Sequence, residues 1–288
     1  MRPEPGPEHA ERRRQFAEEA RAEKPDLATL CLLVGAEGEA APVGAGLDAA
    51  QAELDRLAGL LPYGLSGTRA WAAALAELLG ARCGFHGTPV DYERLESSLL
   101  PAVLRRRRGL PILLSVVWIE VARRAGARVY GVALPGHFVV GFGDPGTAGE
   151  QVLADPFAAG RILTREETDR LPADRTGPSA GQAPGLLPAA APAAPLDIVQ
   201  RVLNNIRAWA AARPERTDVA LWAVELSLLL PAHPARLRYD RAQLLVQRGE
   251  FLRGAAEMEE YARVVAAVEP ATAEAIQRRA RAARARLN

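Results

Sequence analysis

The segment Pro111 to Gly126 reads PILLSVVWIEVARRAG, and its middle is apolar on every side except at Ser115 and Glu120. A helix that is apolar all round is buried all round, so the pattern predicts a central helix rather than a surface one. Pro111 suits its first turn, Arg123 and Arg124 its last turn, and Gly126 its stop. Upstream, helical spacing predicts elements over about 26–34, 47–59 and 67–79. Asp26 and Asp48 stand at cap or first-turn positions, and Gly80 is a stop. After Gly126 the pattern changes to short apolar runs, "RVYGVAL", "HFVVGF" and "QVLADPF", the last two parted by the turn-forming "GDPGTAGE". Such runs predict an antiparallel sheet packed on the central helix, an α+β arrangement.

Residues 171–195 are rich in Pro, Ala and Gly, cannot keep a regular element, and are expected to be an interdomain linker. Beyond them helical patterns cover about 196–212, 217–230, 235–247 and 251–268, and a last one runs to the C-terminus. Two helix pairs, each closing on an apolar stretch followed by proline ("LSLLLP", "VAAVEP"), resemble degenerate tetratricopeptide repeats. The expected layout is a flexible tail over 1–25, an α+β domain over 26–170, the linker, and a small all-α domain over 196–288.

With 49% hydrophobic residues and a net charge of +1, nothing draws the chain to nucleic acid or an anionic membrane. Its longest apolar run is too short to span a bilayer and carries Glu120, so a soluble protein with no membrane partner is expected. The charged start shows no segment like a signal peptide, and two distant cysteines, Cys31 and Cys83, make no disulfide framework; a cytoplasmic location follows. Cys83 and His86 have the spacing of half a zinc site but no matching second pair, and neither a metal nor another cofactor is expected. Arg105 to Arg108 end a helix, where they serve the dipole and solubility, and the arginines of the last helix form a solvated face.

Four histidines occur in the chain, and His137 lies on a strand that reads as buried. If the hairpin turns symmetrically about Gly146, Val140 pairs with Val152 and His137 with Asp155, on one face of the sheet. A carboxylate there fixes the tautomer of the imidazole and stabilises its protonated form. The competing reading makes His137 a satisfied polar group at the sheet edge and Asp155 the cap of the Asp-Pro turn. A nucleophile would sit at a helix N-terminus, where the dipole favours the anion. Pro111, Ile112, Leu113 and Leu114 offer none, and Ser115 is the one candidate in that helix, though an interior helical serine commonly bonds back to the preceding turn.

"RRRRGLPILLSVVWIEVARRAGARVYGVALPGHFVVGF" and the later "ADPF" resemble the transglutaminase-like core of the SirB type. In this bacterial family such a core is followed by a tetratricopeptide-like region, and the likeness extends from "GFHGTPVDYERLESSLLPAVL" through "RVLNNIRAW" to Pro270. The resemblance implies a transglutaminase-like (papain-like) fold and, in the wider superfamily, a Cys-His-Asp triad for acyl transfer or amide hydrolysis. His137 matches its histidine and Asp155 its aspartate. The cysteine position falls near Pro111 to Leu113, where there is no cysteine, and Ser97-Ser98 stands where Asn-Ser is common.

Two functions are therefore expected to compete. One is a catalytically degenerate binding or scaffold protein, its old cleft holding a peptide or small molecule and its repeats a protein partner. The other is a hydrolase or acyltransferase using Ser115, His137 and Asp155.

Overall fold

The computed structural model describes residues 7–39, 45–145, 151–164, 166–167 and 192–287. Helices α1 (Pro7–Glu19), α2 (Leu27–Glu39) and α3 (Ala45–Ala58) precede α4 (Thr68–Leu75), which runs on into a π-helical segment, Ala76–Arg82. Two 3-10 turns, Pro89–Glu93 and Leu95–Ser98, lead to α5 (Leu100–Arg106) and α6 (Pro111–Arg124). Strands β1 (Val129–Leu134), β2 (His137–Phe142), β3 (Val152–Asp155) and β4 (Arg161–Leu163) follow. Helices α7 (Pro195–Ala211), α8 (Thr217–Leu229), α9 (Arg236–Gln247), α10 (Phe251–Val265) and α11 (Pro270–Arg284) complete the described chain. It divides into two compact units, Met1–Asn205 and Ile206–Asn288.

In the first unit α6 is the buried centre. Every residue from Pro111 to Ala122 is buried, and Trp118 has no exposed surface. Each large apolar side chain so enclosed contributes about 1.5–3 kcal/mol relative to leaving it in water. The one buried charge of α6, Glu120, is met from its own helix by Arg123 at 2.7 Å and Arg124 at 3.7 Å. The helix lies against β1 and β2 of a sheet ordered β1-β2-β3-β4, antiparallel throughout. Alternation along β2 puts Phe138, Val140 and Phe142 on one face and His137, Val139 and Gly141 on the other. On that second face Tyr130, Val132, Leu134, Val139 and Leu163 form an apolar cluster. β4 is a fourth strand that the apolar runs did not announce; it is only three residues long and begins with the exposed Arg161.

Three expectations are corrected. The tail expected over 1–25 instead forms α1 across Pro7–Glu19. Its many charges hide the reason: Phe16 and Ala20 are buried, and Glu37 of α2, itself buried, takes Arg12 at 3.3 Å and Arg13 at 2.8 Å. Second, the all-α unit begins at Ile206 rather than 196, because the start of α7 belongs to the first unit, where Ile198, Val199, Val202 and Leu203 are buried. The expected linker lies outside the described residues up to 191; at its end Pro192 bridges to Val132, and the amide of Ala193 donates to Gly131, so these residues cover part of the free edge of β1. Third, Gly80 does not stop α4: the helix passes through it in the π-helical segment.

The second unit is a stack of α8 to α11, in which α8 packs on α9, and α9, α10 and α11 close around Tyr239, Ala242, Ala255, Met258, Ala262, Ile276 and Ala280. Mostly small residues let neighbouring helices approach closely, and Tyr239 stacks on Tyr261 at 5.6 Å between ring centroids. No helix among the described residues is long and apolar enough to cross a membrane.

Candidate functional site

Three chain segments converge beside the start of β2. The amide of Gly87 donates to the carbonyl of Phe157 at 3.0 Å, and an added Cβ at Gly87 would lie 2.8 Å from the carbonyl oxygen of Gly109. This brings the loop before the first 3-10 turn, the approach to α6 and the end of β3 together. The ring of Phe157 then meets two others edge-on, Tyr92 at 5.9 Å and His137 at 6.2 Å between centroids. The turn carrying Tyr92 is closed by a capping box in which Asp91, buried, accepts from Thr88 at 2.9 Å and from Ser97 at 3.1 Å.

His137 Nε2 lies 3.0 Å from Asp155 Oδ2, with both residues more than nine-tenths buried. The pair forms, although the register is not the expected one. Val140 pairs with Ala154, not Val152, and one further step along the ladder sets Asp155 opposite Val139. The expected pivot, Gly146, lies outside the described residues. A two-residue difference keeps every side chain on its face, so His137 and Asp155 meet as diagonal neighbours instead of direct ones. The other oxygen of Asp155, Oδ1, accepts from the amide of Phe157 at 2.9 Å. Both readings of Asp155 thus hold geometrically, since one carboxylate caps the Asp-Pro turn and grips the imidazole. An ionised carboxylate only accepts, so it assigns the proton to Nε2 in the neutral ring and leaves Nδ1 with its lone pair.

Ser115 is not brought to that nitrogen. It is fully buried, and its hydroxyl donates to the carbonyl of Phe138 at 3.4 Å, a long bond to the strand residue after His137. At the start of α6, Pro111, Ile112 and Leu113 are all buried. Of the two cysteines, Cys31 is buried and burial pushes its thiol far up, while Cys83 is half-buried and lies within electrostatic reach of Arg56 on α3. His86 Nδ1 bonds to the carbonyl of Gly84, and no cluster of three metal-ligating side chains occurs among the described residues.

Arg201, on α7, was missed at the level of sequence. It donates from Nη2 to the carbonyls of Leu134, at 3.1 Å, and His137, at 2.9 Å, and sits over the ring of Phe138 at 5.7 Å. Burial holds its guanidinium below the ordinary value. The one local signal was a cation flanking the apolar stripe Ile198, Val199, Val202 and Leu203; its partners are more than sixty residues away.

A buried helix against an antiparallel sheet, with an imidazole and a carboxylate paired on adjacent strands, defines a transglutaminase-like arrangement. Residues 48–204 match the family model of the transglutaminase-like superfamily, and residues 206–288 that of the tetratricopeptide repeat. The chain belongs to the transglutaminase-like superfamily, with a tetratricopeptide region following the core. A UPF0162 protein of Xylella fastidiosa (strain Temecula1) is 35% identical over 177 residues, 62% of this chain and 62% of that protein. A UPF0162 protein of Pseudomonas aeruginosa is 33% identical over 158 residues, 54% of this chain and 55% of its own. The chain thus spans less than two thirds of the length of these relatives. A crystal structure of menin covers 96% of this chain and 70% of its own at 14% identity and a TM-score of 0.45.

Proposed function

We propose that this chain is a catalytically degenerate transglutaminase-like protein acting as a binding or scaffold module. One observation carries the reading. The first turn of α6, where a nucleophile would gain from the helix dipole, is built of Pro111, Ile112 and Leu113, none of which can ionise. The nearest hydroxyl, Ser115, is enclosed and directed at a backbone carbonyl. What remains is His137 with its proton held by Asp155 and an acceptor nitrogen at Nδ1, the ring meeting Phe157, which in turn meets the exposed Tyr92. That arrangement suits holding a hydrogen-bond donor of a peptide or small molecule. Tetratricopeptide repeats generally mediate protein–protein interaction, which supports a protein partner for residues 206–288.

The test is an assay of amine incorporation and amide hydrolysis on the full chain, with and without thiol-blocking reagent. The expected result is no thiol-dependent turnover, since loss of a nucleophile removes several orders of magnitude in rate. Turnover that vanishes in Cys83→Ala would overturn the reading. Turnover that survives Cys83→Ala but is lost in both Ser115→Ala and His137→Ala would favour the Ser115-His137-Asp155 hydrolase instead.

A further inference from the structure

Leu134 and His137 are the closing pair of the β1–β2 hairpin, and Pro135 and Gly136 form its two-residue turn. Gly136 has φ +64°. Proline at the first central position and a left-handed glycine at the second are the signature of a type II turn. That turn is poorly matched to a hairpin, because its twist opposes the right-handed twist of the strands and splays them. The dyad therefore starts from the end of the hairpin that its own turn holds least well.

Arg201 meets this end from outside. Its Nη2 nitrogen donates to both carbonyls of the closing pair, and its guanidinium rests on Phe138, the residue after His137. No carboxylate among the described residues forms an ion pair with it, so its charge-assisted bonds go to the hairpin backbone, where they are stronger than neutral ones.

We infer that Arg201 is a positioning residue for the dyad, bracing the turn so that the imidazole of His137 reaches Asp155 with Nε2 and leaves Nδ1 unprotonated. The inference rests on the reading of His137 and Asp155 as the retained part of the site. It gives that part a support on a third element, α7, some sixty residues further along the chain.

Histidine side-chain nitrogen NMR on the labelled full chain tests it, with His137→Gln assigning the signal among the four histidines. In the native protein at a pH where the ring is neutral, Nε2 should read as protonated and Nδ1 as bare, a single tautomer. In Arg201→Ala the tautomer ratio should fall by about tenfold, and both nitrogens should move toward averaged values. Arg201→Lys, which keeps a cation without the planar fork, should lie between the two. Leu203→Ala, a buried position on the same helix, should lower the melting temperature and leave the ring signals of His137 in place. Unchanged ring signals in Arg201→Ala, or equal movement in Leu203→Ala, would overturn the inference. Should Arg201→Ala fail to fold, Arg201→Lys and Arg201→Gln carry the same comparison. Thiol-dependent turnover would sink the degenerate reading and leave this measurement standing; a free-running tautomer would do the reverse.

Discussion

The two sides of the site have been built to different standards. On the strand side, His137 and Asp155 are held within 3.0 Å by a capped turn, an aromatic neighbour and an arginine clamp from another helix. On the helix side, the first turn of α6 is packed apolar surface, and its nearest polar group spends its hydroxyl on the backbone. Paired polar groups in a core are costly unless satisfied, so the strand side retains an arrangement that the core alone would not favour. The helix side is what a buried helix prefers. The contrast teaches that a buried imidazole–carboxylate pair can stand in the same unit as a fully apolar helix turn, because Asp155 also caps its own turn.

Gly160 is one place where the strand side presses on α6, and substituting it should have the largest effect on stability. It has φ +87°, and an added Cβ would lie 2.2 Å from Trp118 of α6 and 2.9 Å from the backbone of Ala76. Gly160→Ala should destabilise the protein by about 3 kcal/mol or more in denaturant titration. A near-neutral result would mean that the strand side is not locked to the central helix.

The dyad and the serine can be compared directly. Asp155→Ala strips the imidazole of its acceptor and the Phe157 amide of its cap, and should cost about 2–3 kcal/mol. Ser115→Ala loses one long bond and should cost less than about 1 kcal/mol. If the order reverses in matched denaturation curves, the helix side carries more of the polar architecture than its geometry indicates.

The smallest effect concerns the approach to α6. Hydrogen bonds from Arg56 and, against some burial, Arg107 hold the Glu53 carboxyl at about 2, below its ordinary 4.5. A folded-state value below the unfolded one contributes stability that is complete above about pH 4.5 and is lost as pH falls through 2. Glu53 is half-buried but its first partner Arg56 is exposed, so solvent screening keeps the contribution to about 1 kcal/mol. Glu53→Gln should flatten the acid limb of stability across that window and leave neutral pH nearly unchanged. An acid limb identical to the native one would show that the Arg56 and Arg107 ties add nothing.

The sequence by itself determined the elements whose information is local. The largely apolar run at 111–122 needed no partner to declare itself buried, and Pro111 and Gly126 bracket its helix by backbone preference alone. The helices of the second unit, ended by proline and glycine, were legible for the same reason. The facing of His137 and Asp155 was also legible, since strand alternation survives an even shift of register. Only the tertiary structure decided the rest. The helical state of residues 7–19 depends on Phe16 entering the core and on Glu37 collecting two arginines. The true register of β2 and β3, the fate of the Ser115 hydroxyl and the clamp of Arg201 all depend on partners far along the chain. Local patterns report what a segment wants to bury, and they carry no record of which distant group will meet it there.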